Sequence, residues 1–231
     1  MHIDKIVRSR SRLLVTSSLF GVLALISSPA SALQVERGRQ AGDVEGGYDH
    51  ELAPVARAVQ TGESLTIDGL LEEEMWLQAS PISEFLQTLP FEGEPVTERT
   101  EVRIIYDEDA IYIGAHLSDW NPVTTRLARR DSQLGDSDSF VFLIDSYHDH
   151  ETGYRFWTNP SGVKGDATVR RNGTGKGDTS WDPVWELATS VSDSGWVVEM
   201  RIPFSQLRFS PEDQQVWGIQ IERNIHRNQE N

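Results

Sequence analysis

The residues of this chain best suited to chemistry are aromatic and polar side chains gathered between Asp136 and Asp182. Sugars are held by stacking their C–H faces on Trp or Tyr while nearby polar groups take the hydroxyls. Trp157, Trp181 and Trp185, with Arg155 and Asn159 as polar partners, are the candidate set; Trp120 and Tyr154 are further aromatic candidates. Each of these aromatics has core packing as its competing reading. Trp76 and Trp217 are assigned to the core. Carboxylates form the second group. Calcium takes six to eight oxygen ligands, chiefly carboxylates and carbonyls. Asp136, Asp138, Asp145, Asp149 and Glu151 flank one strand and its turn, and Asp178 and Asp182 lie in the next loop, so a structural calcium is a candidate cofactor. His148-x-His150 has the residues for a transition metal, but a solvated turn is the simpler reading.

Nothing points to catalysis. The chain has no G-x-S-x-G, no H-E-x-x-H and no cysteine. A glycosidase needs only two carboxylates, and carboxylates are too many here to discriminate. The domain is read as a non-enzyme; no glycoside hydrolase activity is read from its own residues.

These residues need strands to position them. Ser139–Asp145 is a short apolar run with apolar residues on both faces, the mark of a strand covered from both sides. His148-Asp149-His150 and Thr152-Gly153 form a turn. Residues 154–158 return, and Asn159-Pro160-Ser161-Gly162 ends the hairpin. Side chains alternate along a strand, so Trp157 faces opposite to Tyr154 and Phe156. Val102, Ile104 and Tyr106 alternate, as do Ile111, Ile113, Ala115 and Leu117, giving a second hairpin across residues 107–109. Residues 163–171, 184–191, 195–202 and 216–224 read as further strands. Residues 204–207 read as one helical turn and 72–79 as a short helix. Residues 119–135 are a long connection, of a kind often functional in compact domains. Its Arg126, Arg129 and Arg130 read as a solvated face. The predicted fold is all-β: a two-sheet antiparallel β-sandwich with one short helix.

Residues 1–32 read as a secretory leader. Lys5, Arg8, Arg10 and Arg12 form its basic region, residues 13–26 its apolar stretch, and Ala30-Ser31-Ala32 its cleavage site. The protein is therefore expected in the periplasm, the outer membrane or outside the cell. Residues 33–63 read as a flexible arm, 64–224 as the sandwich, and 225–231 as the start of a further C-terminal region. The net charge of −15 becomes −18 once the leader is removed. Such a chain repels phosphate backbones, so nucleic acid is excluded as a partner. Without cysteine, the exported domain must hold itself together by its core, or by metal.

Four segments together resemble carbohydrate-binding module family 9. Asp138, Ser139 and Asp145 match the family's D-S-x-x-x-F-x-D strand, with an aliphatic residue at its aromatic position, and Asn159 matches the Asn that follows it. Ile67-Asp68-Gly69 with Met75-Trp76 matches its I-D-G…W opening. Tyr106-Asp107, Ile111-Tyr112-Ile113 and Ser118-Asp119 match its Y-D…L-Y-V…D hairpin. Gly195-Trp196-Val197-Val198-Glu199 with Ile202-Pro203 matches its G-Y-x-V-E…I-P edge. The resemblance implies a polysaccharide or oligosaccharide as partner. It is nearest to large bacterial envelope proteins, in which such a domain precedes a C-terminal, barrel-like membrane region that would be a second partner. A reading as a docking domain of that barrel, without sugar affinity, is the alternative. In a well-described type of family-9 module two tryptophans sandwich the sugar and a glutamate grips it. This chain has Gln133-Leu134-Gly135 at the first tryptophan position and Val141 at the glutamate, and the second tryptophan would fall past Asn231. A bound glycan would therefore use a different aromatic set.

Overall fold

A computed structural model describes residues 2–7, 54–62, 65–170, 177–212 and 214–231. Among the described residues, eleven strands are distributed over two sheets. They are β1 (His2–Val7), β2 (Val55–Ala56), β3 (Val59–Gln60), β4 (Thr100–Tyr106), β5 (Ala110–Ser118), β6 (Ser139–Asp145), β7 (Thr152–Thr158), β8 (Gly165–Arg170), β9 (Glu186–Ser192), β10 (Gly195–Pro203) and β11 (Gln214–Asn224). The larger sheet runs β2-β1-β11-β6-β7-β8 and the smaller β3-β4-β5-β10-β9. Pairing is antiparallel except at the two-residue strands β2 and β3. The expected sandwich is present, with α1 (Glu74–Gln78) as its short helix. No helix among the described residues is long and apolar enough to cross a membrane.

The core follows from strand alternation. Phe140, Phe142 and Ile144 of β6, Phe156 of β7 and Trp217 and Ile219 of β11 point inward from the larger sheet. They meet Ile104, Ile111, Ile113, Trp196, Val198 and Met200 from the smaller one. Every residue of β6 is buried, including Val141 and Leu143 on its outer face at 7% and 8% exposure. The two-sided apolar pattern thus has its cause in a strand central to its sheet.

Two segments flanking the expected sandwich bounds lie against the domain. Within the arm, Val55–Ala56 pairs with β1 of the larger sheet and Val59–Gln60 with Ile105 and Tyr106 of the smaller one. At the far end, residues 225–231 fold back on the domain. Ile225 bridges Glu230, a one-turn 3-10 helix (His226–Asn228) lies between, and Glu230 accepts the amide and hydroxyl of Thr97 at 2.9 and 2.6 Å. Asn231 exchanges backbone bonds with Leu89. Of the expected leader, His2–Val7 runs antiparallel to β11; its apolar stretch and cleavage site lie outside the described residues.

Candidate functional site

Outward residues of three neighbouring strands assemble one polar and aromatic surface on the larger sheet. Register sets the arrangement. Trp157, Val141 and Glu222 form one row across β7, β6 and β11, and Arg155, Leu143 and Gln220 form the next. The Arg155 guanidinium stands 5.7 Å from the Trp157 ring centroid, a cation–π distance. It also lies 3.7 Å from the Glu222 carboxylate. Gln220 Nε2 donates to Glu222 Oε1 at 2.7 Å. Trp157 is held at both ends. Its Nε1 donates to the Ser132 carbonyl at 3.2 Å. Its ring lies across Gly165, where an added Cβ would stand 1.9 Å from Cε2. The surface therefore combines a fixed aromatic plate, an apolar floor of Val141 and Leu143, a guanidinium, a carboxylate and an amide. Such a set stacks an apolar ligand face and exchanges hydrogen bonds with hydroxyls around it.

The structure separates the other expected binding residues from this surface. Trp185 is 3% exposed in the core; its Nε1 donates to Asp166 at 2.9 Å, and its ring meets Phe156 edge to face. Trp181 packs on Tyr154 and Phe156 with ring centroids 4.8 and 5.7 Å away, on the inner side of β7 and so opposite to Trp157. Asn159 is fully buried. Its Nδ2 donates to the Arg126 carbonyl and Ser137 Oγ, and its Oδ1 accepts the amides of Ser161 and Val163. Its Oδ1 is spent on closing its own turn and its Nδ2 on tying that turn to the connection before β6, so no sugar hydroxyl can use it. Of the expected set, Arg155 and Trp157 meet. Glu222 and Gln220 complete the surface; period-two alternation along β11 could have found them.

The expected calcium carboxylates are likewise dispersed. Asp138 accepts the amides of Thr124 and His226, both at 2.8 Å. Asp145 accepts those of Asp149 and His150, which stabilises the turn holding His148 and His150 at positive φ. Burial disfavours the charged form of Asp149, but the amides of Glu151 and Thr152 and the Thr152 hydroxyl outweigh it and hold this carboxyl below its usual range. Asp136 pairs with Arg126 at 2.6 Å and Asp182 with Arg130 at 2.8 Å. Glu151 is exposed. Among the described residues no three His, Asp or Glu side chains come together as a metal set. The arginines read as a solvated face are thus partly structural. Arg130 also reaches Asp166 at 2.6 Å, and burial, outweighing the Trp185 and Arg130 hydrogen bonds, raises the Asp166 carboxyl above its usual range.

The family motifs have a physical function on the opposite side of the molecule. Glu199 accepts the amides of Asp68 and Gly69 at 2.9 and 3.0 Å. Gly69 has φ +86°, and an added Cβ would stand 3.0 Å from the Thr189 backbone, so glycine is needed there twice over. Trp76 lies against Gly114, and Tyr112 donates to Asp107 at 2.6 Å. Burial first, and that hydrogen bond second, push the Tyr112 hydroxyl up to about 12.

Comparison with known proteins agrees with this architecture. A carbohydrate-binding module of Caldicellulosiruptor kristjanssonii, family 9, in complex with cellotriose is similar over 72% of this chain and 75% of its own, with TM-score 0.51 and 19% identity. The same description with glucose gives 0.50, 17% identity and coverages of 72% and 78%. A protein of Bacteroides uniformis ATCC 8492 is similar over 73% and 83%, with TM-score 0.55 and 12% identity. No curated protein sequence matches the chain. Residues 67–231 match the family of carbohydrate family 9 binding domain-like sequences, and the chain belongs to that family.

Proposed function

We propose that this chain is a non-catalytic carbohydrate-binding module and that its ligand lies on the outer face of the larger sheet. The observation that carries this reading is the Trp157 plate, fixed over Gly165 and flanked by Arg155 and Glu222. Family membership supports it, as do similar modules that hold cellotriose and glucose. The pyranose face would stack on Trp157 while Arg155, Glu222 and Gln220 exchange hydrogen bonds with its hydroxyls. The strong net negative charge disfavours acidic polysaccharides, so the expected ligand is neutral. Export through the leader would place the module in the periplasm, at the outer membrane or outside the cell, serving an envelope or carbohydrate-catabolic protein. A glycan array probed with the exported protein tests this. Binding to neutral glucans or xylans that Trp157→Ala abolishes is the expected result; an array without hits overturns it.

A specific observation favours a second reading as a docking domain. Leu86, Leu89 and Phe91 are 60–66% exposed. Leu86 also lines a groove of about 240 Å³ that runs beside Ile221 and Arg223 of β11. Retained docking to a membrane-barrel region after Trp157→Ala, with no glycan bound by the wild type, would select that reading.

A further inference from the structure

Glu199 lies in the middle of β10 on the outer face of the smaller sheet and is fully buried. Its row across the sheet reads Arg103, Gly114, Glu199, Ala188. The missing side chain at Gly114 is replaced by the Trp76 ring, with Cζ3 2.8 Å from where a Cβ would be. That ring occupies the row between Arg103 and Glu199. Covering the row are residues 67–69, whose Asp68 and Gly69 amides both donate to Glu199 Oε2. Glu199 Oε1 is buried with no hydrogen-bond partner. Glu73 of the same covering segment accepts the Thr66 amide through Oε1 and has its Oε2 buried and without a hydrogen-bond partner.

The charges around Glu199 leave it uncompensated. Glu73 and Asp68 act on it as like charges. On the sheet, the same face carries Glu101 and Arg103 of β4, Tyr112 and His116 of β5, Glu186 of β9 and Arg201 of β10. Arg201 is engaged by the Tyr112 hydroxyl and Glu186 at 3.2 and 2.9 Å, and Arg103 lies 3.6 Å from Glu101. An ionised Glu199 would thus be a buried charge satisfied by two amides alone.

We propose that Glu199 is a proton-gated clasp: as the neutral acid it holds residues 67–69 on the smaller sheet, and its ionisation loosens that segment. The neutral acid keeps Oε2 as acceptor for both amides and carries its proton on Oε1, so that no charge is buried there. Burial, outweighing the two amides, pushes this carboxyl from 4.5 up to about 7. The sign follows from proton linkage. The folded chain binds this proton more tightly than the unfolded one. The stability it contributes is full below about 4.5 and is lost as pH rises through about 7. The clasp therefore holds in mildly acidic surroundings and yields in mildly alkaline ones.

Thermal unfolding of the full chain and of Glu199→Gln between pH 5 and 8.5 tests this, with hydrogen exchange at the Asp68 and Gly69 amides. Glutamine keeps the carbonyl acceptor and cannot ionise, and both proteins carry His116, so their difference isolates Glu199. The wild type should lose several degrees of Tm relative to the variant as pH rises, and its Asp68 and Gly69 amides should lose protection that Ile113 retains. Should Glu199→Gln fail to fold, Glu73→Gln decides. Removing that like charge should make the wild-type loss smaller and move it to lower pH. Parallel Tm curves for wild type and Glu199→Gln, or an unmoved transition in Glu73→Gln, would overturn the proposal.

Discussion

The two outer faces of the sandwich receive opposite treatment. On the smaller sheet, Trp76 and Leu71 lie against Gly114, the 67–69 turn is bonded to Glu199, and Ser190 donates to the Gly69 carbonyl at 2.7 Å. The segment N-terminal to β4 is used there as a cover. On the larger sheet, Arg155 and Glu222 keep 28% and 29% of their side-chain surface, and Gln220 is exposed. Both faces place an aromatic ring over a glycine, Trp76 over Gly114 and Trp157 over Gly165. The first ring is fully buried and its surroundings are sealed; the second is half-buried and bordered by groups that can still exchange hydrogen bonds with a ligand. An aromatic laid on a sheet is therefore no sign of binding by itself. What surrounds it decides.

The largest effect that sharpens this contrast is expected from a tryptophan on neither outer face. Trp185→Ala removes a buried ring from the core and should lower stability by about 3–5 kcal/mol, measured by denaturant unfolding. A smaller loss would return Trp185 to the binding surface. Next come the two glycines. Gly114→Ala puts a methyl 2.8 Å from Trp76 and Leu71 on the sealed face, and overpacking there should cost about 1–3 kcal/mol. Gly165→Ala drives the Trp157 ring from its place. Its expected signature is a changed Trp157 environment with lost sugar binding, and the core should remain intact in near-ultraviolet circular dichroism. Equal stability losses from both would mean that the two faces are built alike. Glu222→Gln should weaken sugar binding by about tenfold or less, the worth of roughly one hydrogen bond. Smallest of all, Trp120→Ala should change stability by no more than about 0.5 kcal/mol, because Trp120 is 79% exposed. It should leave binding unchanged. A loss of sugar affinity there would move the site to the β5–β6 connection.

Strand positions were legible wherever alternation or an apolar run persisted. β6 and β10 begin at the expected residues, and the helix is shorter by two residues at its start and one at its end. The side assignment of Trp157 followed from alternation along β7. Trp181 and Trp185 were not placed because residues 177–185 hold no strand, so no period carries the direction of a side chain through them. Asn159 and the aspartates read as ligands for a shared reason. Short polar side chains at turns look like ligands for an outside atom, yet Asn159, Asp138, Asp145 and Asp149 all bond to backbone amides nearby or across the fold. Glu199 was visible as a family motif residue, but its partners Asp68 and Gly69 are some 130 positions away, beyond any local pattern. Glu222 is hidden from Arg155 in the same way, since the two belong to strands far apart in the chain.

The central claim is that the open face of the larger sheet, and Trp157 in particular, meets the sugar. The seven tryptophans supply internal reporters. In a proton–nitrogen correlation spectrum of the protein titrated with cellotriose, the indole N–H of Trp157, which bonds Ser132, should shift progressively with sugar concentration. That of Trp185, which bonds Asp166 in the core, should stay in place. A Trp157 resonance that stays fixed while the indole of Trp120, Trp181 or Trp185 moves would contradict the account.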